Sequence, residues 1–162
     1  MHIRVVWQLL ILVALANGTP VVVNRLLGRG WRWPLDGGFK LPDGQPLFGA
    51  SKTVRGVVSA MLVSATAASA LGLGWKLGAL VGAAAMAGDL VSSFSKRRMH
   101  LPAGGRATGL DQIPESLLPS LVARHALHLS AMDIAAVTAI FMVAEIVLSI
   151  IFFRWHLRER PY

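Results

Sequence analysis

The chain has 162 residues, 54% of them apolar and only 15% charged, with a mean hydropathy of +0.58. A soluble domain carries about a quarter charged residues, so this deficit excludes an ordinary soluble fold and points to an all-α, polytopic integral membrane protein. The absence of cysteine excludes disulfides and thiolate metal sites, and the formal charge of +8 reads as basic loops facing anionic lipid, with no nucleic-acid partner.

Five apolar segments follow in chain order, each near the length of a bilayer-crossing helix. The first, 5–23, is interrupted by Asn17-Gly18-Thr19-Pro20. Pro20 is expected to kink or end it, leaving Asn17 and Asn24 as polar groups near the active face. Met1 to Arg4 with Ala14-Leu15-Ala16 also has the look of a signal peptide. Cleavage there would carry the cations of the next loop outside, against the charge bias below, so a retained first helix is expected. A long polar loop, 24–55, leads to spans 57–73 and 77–95. A second polar loop, 96–114, precedes a weaker fourth span, 116–131, and the clearest is the fifth, 134–153. No internal repeat is visible, and residues 1–162 read as a single membrane domain.

With five crossings, thirteen of the sixteen Lys and Arg residues fall on the side of the two loops and the C-terminal tail. Arg4 and Lys76 lie opposite, and Arg124 sits inside the fourth span. The positive-inside bias makes the loops cytoplasmic and puts the N-terminus outside. Without the fourth span, the basic tail would lie opposite Lys96-Arg97-Arg98.

The stretch 88–115 carries the chemistry. Asp89, Ser93, Lys96 and Arg97 stand at i, i+4, i+7 and i+8, so they share one helix face. Asp89 lies inside an apolar span, where a carboxylate is expensive and usually functional. A Gly-rich loop then ends at a second acid, Asp111. Carboxylates for a metal ion and cations for phosphates, placed where membrane meets water, suggest phosphate chemistry on a lipid.

Gly88-Asp89, Ser93, Lys96-Arg97 and Leu110-Asp111-Gln112 resemble the signature of membrane CTP-dependent cytidylyltransferases, the superfamily of phosphatidate cytidylyltransferase. The short length, the segment Phe48-Gly49-Ala50-Ser51-Lys52-Thr53-Val54-Arg55-Gly56 and Asp36-Gly37-Gly38 are most similar to its smaller branch, CDP-archaeol synthase. The resemblance runs from about Asn17 to Glu115, with the fifth helix matching in character only. Two departures stand out. The loop reads Ala103-Gly104-Gly105-Arg106-Ala107-Thr108-Gly109 in place of a Pro-Gly-His-Gly-Gly type, and Pro114 stands where the family tends to carry a second Asp. Glu115, directly after it, is the residue placed to supply that carboxylate.

The resemblance implies a phosphorylated lipid alcohol as acceptor, of archaeol ether-lipid type; nothing in the residues separates that from phosphatidic acid. In such a reaction a lipid phosphate oxygen attacks the α-phosphorus of CTP and pyrophosphate leaves, so metal ions and fixed cations carry most of the catalysis. Mg²⁺, one ion or two, takes hard oxygen ligands. Asp89 and Asp111 are the natural pair, with Glu115 a third. Lys96 and Arg97 are placed to steady the triphosphate. Lys52 and Arg55, at the start of the second helix, are placed for the lipid phosphate or pyrophosphate. Asn17, Ser93 and Asp36 complete the candidate substrate-binding set. The site is expected to open toward the cytoplasm, in a cleft between the third helix and the first loop, with the lipid chains left in the membrane.

Plainer readings stand beside these. Lys96-Arg97-Arg98, Lys52 and Arg55 also fit interfacial anchors, Ser92 and Ser93 fit bonds back to helix carbonyls, and Asp111 fits a solvated loop acid or the N-terminal residue of the fourth helix. Asp36-Gly37-Gly38 alone is most often a turn. His125 and His128 read as packing or interfacial residues, and Glu145 as a structural partner for Arg124 or a histidine. Asp133 reads as a cap, and Gly78, Gly82 and Ala83 to Ala87 as close helix packing. Two other functions compete: a catalytically silent relative that binds anionic lipid or a partner enzyme, supported by Pro114, and a transporter using Glu145 and Asp89, opposed by the lack of a repeat. Five short helices offer limited internal burial, so a homodimer is a natural expectation.

Overall fold

A computed structural model places five helices in this order: α1 (Ile3–Leu26), α2 (Val54–Ala70), α3 (Trp75–Arg98), α4 (Gln112–Leu127) and α5 (Ala131–Arg154). The structure describes residues 2–28, 30, 32–101, 107 and 109–154, the side chains of 151–154 excepted. Most of the Gly-rich loop, the side chain of Arg154, and Arg29, Arg106, Arg158 and Arg160 therefore lie outside the described residues. The helices α1, α3 and α5 are long and apolar enough to cross a membrane, and α2 is a shorter apolar helix.

Each expected segment is a helix, but the ends differ. Pro20 does not end α1, which continues to Leu26. A proline inside a helix removes one hydrogen bond and crowds the preceding turn. Two neighbouring side chains add bonds to nearby turns here, Asn17 Nδ2 to the Val13 carbonyl at 3.1 Å and Thr19 Oγ1 to the Leu15 carbonyl at 2.6 Å. Gly56 of α2 makes room for the ring, since a Cβ there would lie 3.2 Å from the Pro20 Cβ. The end of α3 also runs further than expected and takes Lys96, Arg97 and Arg98 into its last turn, where the helix dipole favours cations.

Small residues set the spacing between helices, as expected. A Cβ on Gly78 would fall 2.3 Å from the Ser64 carbonyl oxygen of α2. One on Gly88 would fall 2.2 Å from the Pro114 carbonyl oxygen of α4. Away from the long loop the bundle is filled by Leu9, Leu12 and Val13 of α1, Val81 of α3 and Val137 and Phe141 of α5. Asp133 caps the start of α5 there. Its buried carboxylate accepts bonds from Ser130 N at 3.0 Å, Ser130 Oγ at 2.7 Å and His2 N at 2.8 Å.

The loop between α1 and α2 is built around Asp36, whose carboxylate accepts bonds from the backbone N–H groups of Gly38 (3.0 Å), Phe48 (2.9 Å) and Gly49 (2.9 Å). Burial works against the Asp36 charge, but the donors of Gly49, Phe48 and Gly38 outweigh it and hold the carboxyl below its ordinary value. Arg98 fastens the loop to α3 by pairing with Asp43 and donating to the Pro46 carbonyl at 2.9 Å. The hydroxyl of Thr53 then caps α2 by accepting from Gly56 N at 3.1 Å.

Candidate active site

All five helices and the long loop meet at a cavity of about 290 Å³. Asn17, Pro20, Val21 and Asn24 of α1 line it, with Ser51, Lys52 and Thr53 of the loop and Gly56 of α2. Asp89 comes from α3, Glu115 from α4 and Glu145 from α5. The approach at Gly88 is what carries Glu115 here, because only a residue without a side chain lets the first turn of α4 lie against α3 at that level.

Two ion pairs define the polar end of the bundle. Lys52 Nζ lies 2.5 Å from Asp89 Oδ1, with both side chains about one-fifth exposed (21% and 23%). Lys96 Nζ lies 2.6 Å from Asp111 Oδ1, and these two are more enclosed, at 13% each. Lys96 is two helical turns beyond Asp89, so the pairs form successive layers along α3. Asp111 also accepts from Ala107 N at 3.3 Å, and its backbone is already helical, so it does not cap α4 by its side chain.

Asn17, Lys52, Asp89 and Glu115 thus come together in one cavity, while Lys96 and Asp111 pair in the next layer. Arg97 is buried beside them, donating to the Leu101 carbonyl at 2.7 Å, with its guanidinium close beneath Gly49. Ser93 is buried on α3 and does not line the cavity. Ser92 bonds back to the Gly88 carbonyl at 2.9 Å, as serines in apolar helices often do. Arg55 donates to Asn24 Oδ1 at 2.6 Å and to the Gly30 carbonyl, so it ties the end of α1 to the start of α2. Asp36 lies in the loop framework rather than in the cavity wall.

Glu145 is the residue whose place the sequence reading missed. It lines the cavity with Glu115, and among the described residues it forms no ion pair with exposed Arg124. A signal was present: α4 and α5 are antiparallel neighbours joined by a tight turn, and Glu115 and Glu145 are each fifteen residues from Ser130. Equal distances from a turn put two residues of a helical hairpin at one level.

Among the described residues no three His, Asp or Glu groups are gathered closely enough to hold a metal by themselves. The donors present suit Mg²⁺ all the same, since that ion is usually held by one or two carboxylates and completed by substrate phosphates and water. Asp89 and Glu115, two carboxylates lining one cavity, would serve as such a set.

The model of the family described as CarS-like, CDP-archaeol synthase, matches residues 66–162, more than half of the chain. This chain belongs to the CDP-archaeol synthase family. It is 38% identical over 109 residues to the CDP-archaeol synthase of Thermococcus onnurineus, covering 60% of this chain and 61% of that one. The corresponding protein of Pyrococcus furiosus is 38% identical over 107 residues (60% of each chain), and that of Methanopyrus kandleri 44% over 86 residues (49% and 50%). The chain thus spans about three-fifths of the length of the first of these curated relatives. A solved structure described as an intramembrane enzyme for archaeal membrane lipids biosynthesis superposes with a TM-score of 0.75 at 29% identity, over 88% of this chain and 91% of that one. With three helices able to cross a membrane and this fold match, the protein is an integral membrane protein.

Proposed function

We propose that the chain is a CTP-dependent cytidylyltransferase that converts a phosphorylated lipid alcohol to its CDP derivative and releases pyrophosphate. The observation that supports this reading is the cavity where Asp89, Glu115 and Lys52 meet, at the C-terminal end of the long loop. The name shared by the relatives favours an archaeol-type ether lipid phosphate as acceptor. Val21, exposed on the outside of α1 and also lining the cavity, offers an apolar edge by which lipid chains remain in the bilayer while the phosphate enters.

The reaction joins an acceptor phosphate oxygen to the α-phosphorus of CTP and breaks the bond to pyrophosphate. The acceptor is already an oxyanion, so the step requires no strong general base. What it requires is compensation for crowded negative charge, which is usually the largest part of such catalysis. Lys52 in the cavity, with Lys96 and Arg97 in the adjoining layer, supplies the cations. Asn17 offers a polar contact, and Ser93, Arg55 and Asp36 fix the helix and loop geometry around them. Mg²⁺, when bound by Asp89 and Glu115 with Asp111 nearby, supplies Lewis-acid neutralisation of the phosphates.

In this reading all five helices cross the bilayer as one domain, the N-terminus is outside, and the long loop, the 99–111 loop and the C-terminus are cytoplasmic, where CTP is. A homodimer is compatible with the apolar outer faces of α2 and α5. The test is lipid-extractable label from radiolabelled CTP, with digeranylgeranylglyceryl phosphate and phosphatidic acid offered separately. Asp89→Asn should fold and lose the product. Folded wild-type protein that binds no CTP would instead support a silent lipid-binding relative.

A further inference from the structure

We infer that Lys52 occupies the cation's place on Asp89 until nucleotide arrives, so that the divalent ion and CTP enter together while Lys52 passes from the carboxylate to the triphosphate. The inference rests on the cytidylyltransferase reading and concerns the order of events at that site.

Charge is the first argument. The charged residues lining the cavity are Asp89, Glu115, Glu145 and Lys52. Three carboxyl groups thus crowd around a single ammonium, an arrangement that favours added positive charge away from bulk water. A divalent cation supplies it while Lys52 remains in the cavity to meet the phosphates. Glu145, which no role above has used, adds to that acidic crowd without having to touch the metal.

Geometry is the second argument. Lys52 Nζ sits 2.5 Å from Asp89 Oδ1, where a metal would otherwise be held, and two cations cannot share that oxygen cheaply. The Lys52 backbone is fixed, its N–H donating to the Gly49 carbonyl at 3.1 Å and its carbonyl accepting from Leu35 N at 2.8 Å. Its four-carbon stem is free of such bonds, and a compact ammonium on a flexible stem can move to a phosphate without moving the loop. Free metal must therefore displace Lys52 toward Glu115 or Glu145, the other carboxyl groups of the cavity. Metal arriving with CTP brings phosphates that receive the ammonium and leave Glu115 to the ion.

The experiment is Mn²⁺ binding by electron paramagnetic resonance, with and without CTP, on wild type, Lys52→Met and Asp89→Asn. Wild type should bind Mn²⁺ weakly alone and at least tenfold more tightly with CTP, tenfold being about 1.4 kcal/mol. Lys52→Met should bind free Mn²⁺ at least tenfold more tightly than wild type and lose most of the gain from CTP. Asp89→Asn should lose the site in both conditions. Lys52→Gln, checked with Lys52→Met for native circular dichroism, repeats the measurement if the apolar variant misfolds. Wild type that gains Mn²⁺ affinity with CTP while neither Lys52 variant tightens free Mn²⁺ overturns the exchange and leaves the enzyme reading standing. Wild type that binds no Mn²⁺ even with CTP overturns both.

Discussion

Replacing Gly88 with alanine tests whether the approach of α3 to α4 positions the site. The added Cβ would lie 2.2 Å from the Pro114 carbonyl oxygen, 2.5 Å from the Pro114 carbonyl carbon and 2.7 Å from Glu115 N. All three are backbone atoms, so no side chain can swing aside. Non-bonded contacts settle near about 3.5 Å, so the first turn of α4 must retreat by roughly 1 Å. Overpacking of this kind costs about 1–3 kcal/mol of stability. The effect on turnover should be larger in proportion, because Glu115 moves relative to Asp89 and Asp111 relative to Lys96, and a 1 Å displacement at a catalytic centre costs about 100-fold. Gly18→Ala is the control. It lies in α1, a Cβ there meets nothing within 4 Å, and helix propensity alone favours alanine by up to about 1 kcal/mol. CDP-lipid formation and thermal unfolding of purified protein read both quantities. Gly88→Ala with wild-type turnover and unfolding temperature would refute the argument that this contact builds the site.

Lys96→Met should remove the counter-ion of the enclosed Asp111 carboxylate and destabilise the protein by about 2–3 kcal/mol; adding Asp111→Asn should restore most of the stability but not turnover, as thermal unfolding and product formation would show. Asp36→Asn should loosen the long loop by about 1–3 kcal/mol, seen as faster limited proteolysis between α1 and α2. Because the folded-state pKa of Asp36 is lowered from 3.8, its contribution is fully present above that value and is lost as pH falls through the folded value. The difference in proteolysis between wild type and Asp36→Asn should therefore be constant from about pH 5 to 7 and close in stronger acid.

Five helices in the right order were legible because apolar length is the strongest signal a chain carries. Their ends were less so, for reasons visible at two places. Pro20 reads locally as a break, yet α1 runs through it because Gly56, thirty-six residues away, leaves space for its ring. Charge stops the expected third span before Lys96-Arg97-Arg98, yet a helix C-terminus is where cations are favoured. Asp89 could be singled out because its cost does not depend on neighbours. The roles of Lys52, Arg55 and Glu145 depend on which helices face each other, and hydropathy in near-uniformly apolar helices does not encode that.

Pro114 shows how one residue can be read two ways until packing is known. On sequence it is a missing acid. In the structure it is the third residue of α4, among the first four whose N–H groups have no partner within the helix, so a proline there sacrifices nothing. Its carbonyl rests on Gly88, and the next residue, one-quarter turn further round, carries its side chain into the cavity beside Asp89. Glutamate is one methylene longer than aspartate, which gives a carboxylate displaced along the helix the reach to serve the same space. In the proposed function proline and glutamate would act together, the first as the packing surface and the second as the acid. Glu115→Gln should then lose turnover to the same degree as Asp89→Asn, with the fold retained. Pro114→Ala keeps the carbonyl and should change stability by no more than about 1 kcal/mol and turnover only slightly. Loss of turnover in Pro114→Ala with full activity in Glu115→Gln would reverse the assignment.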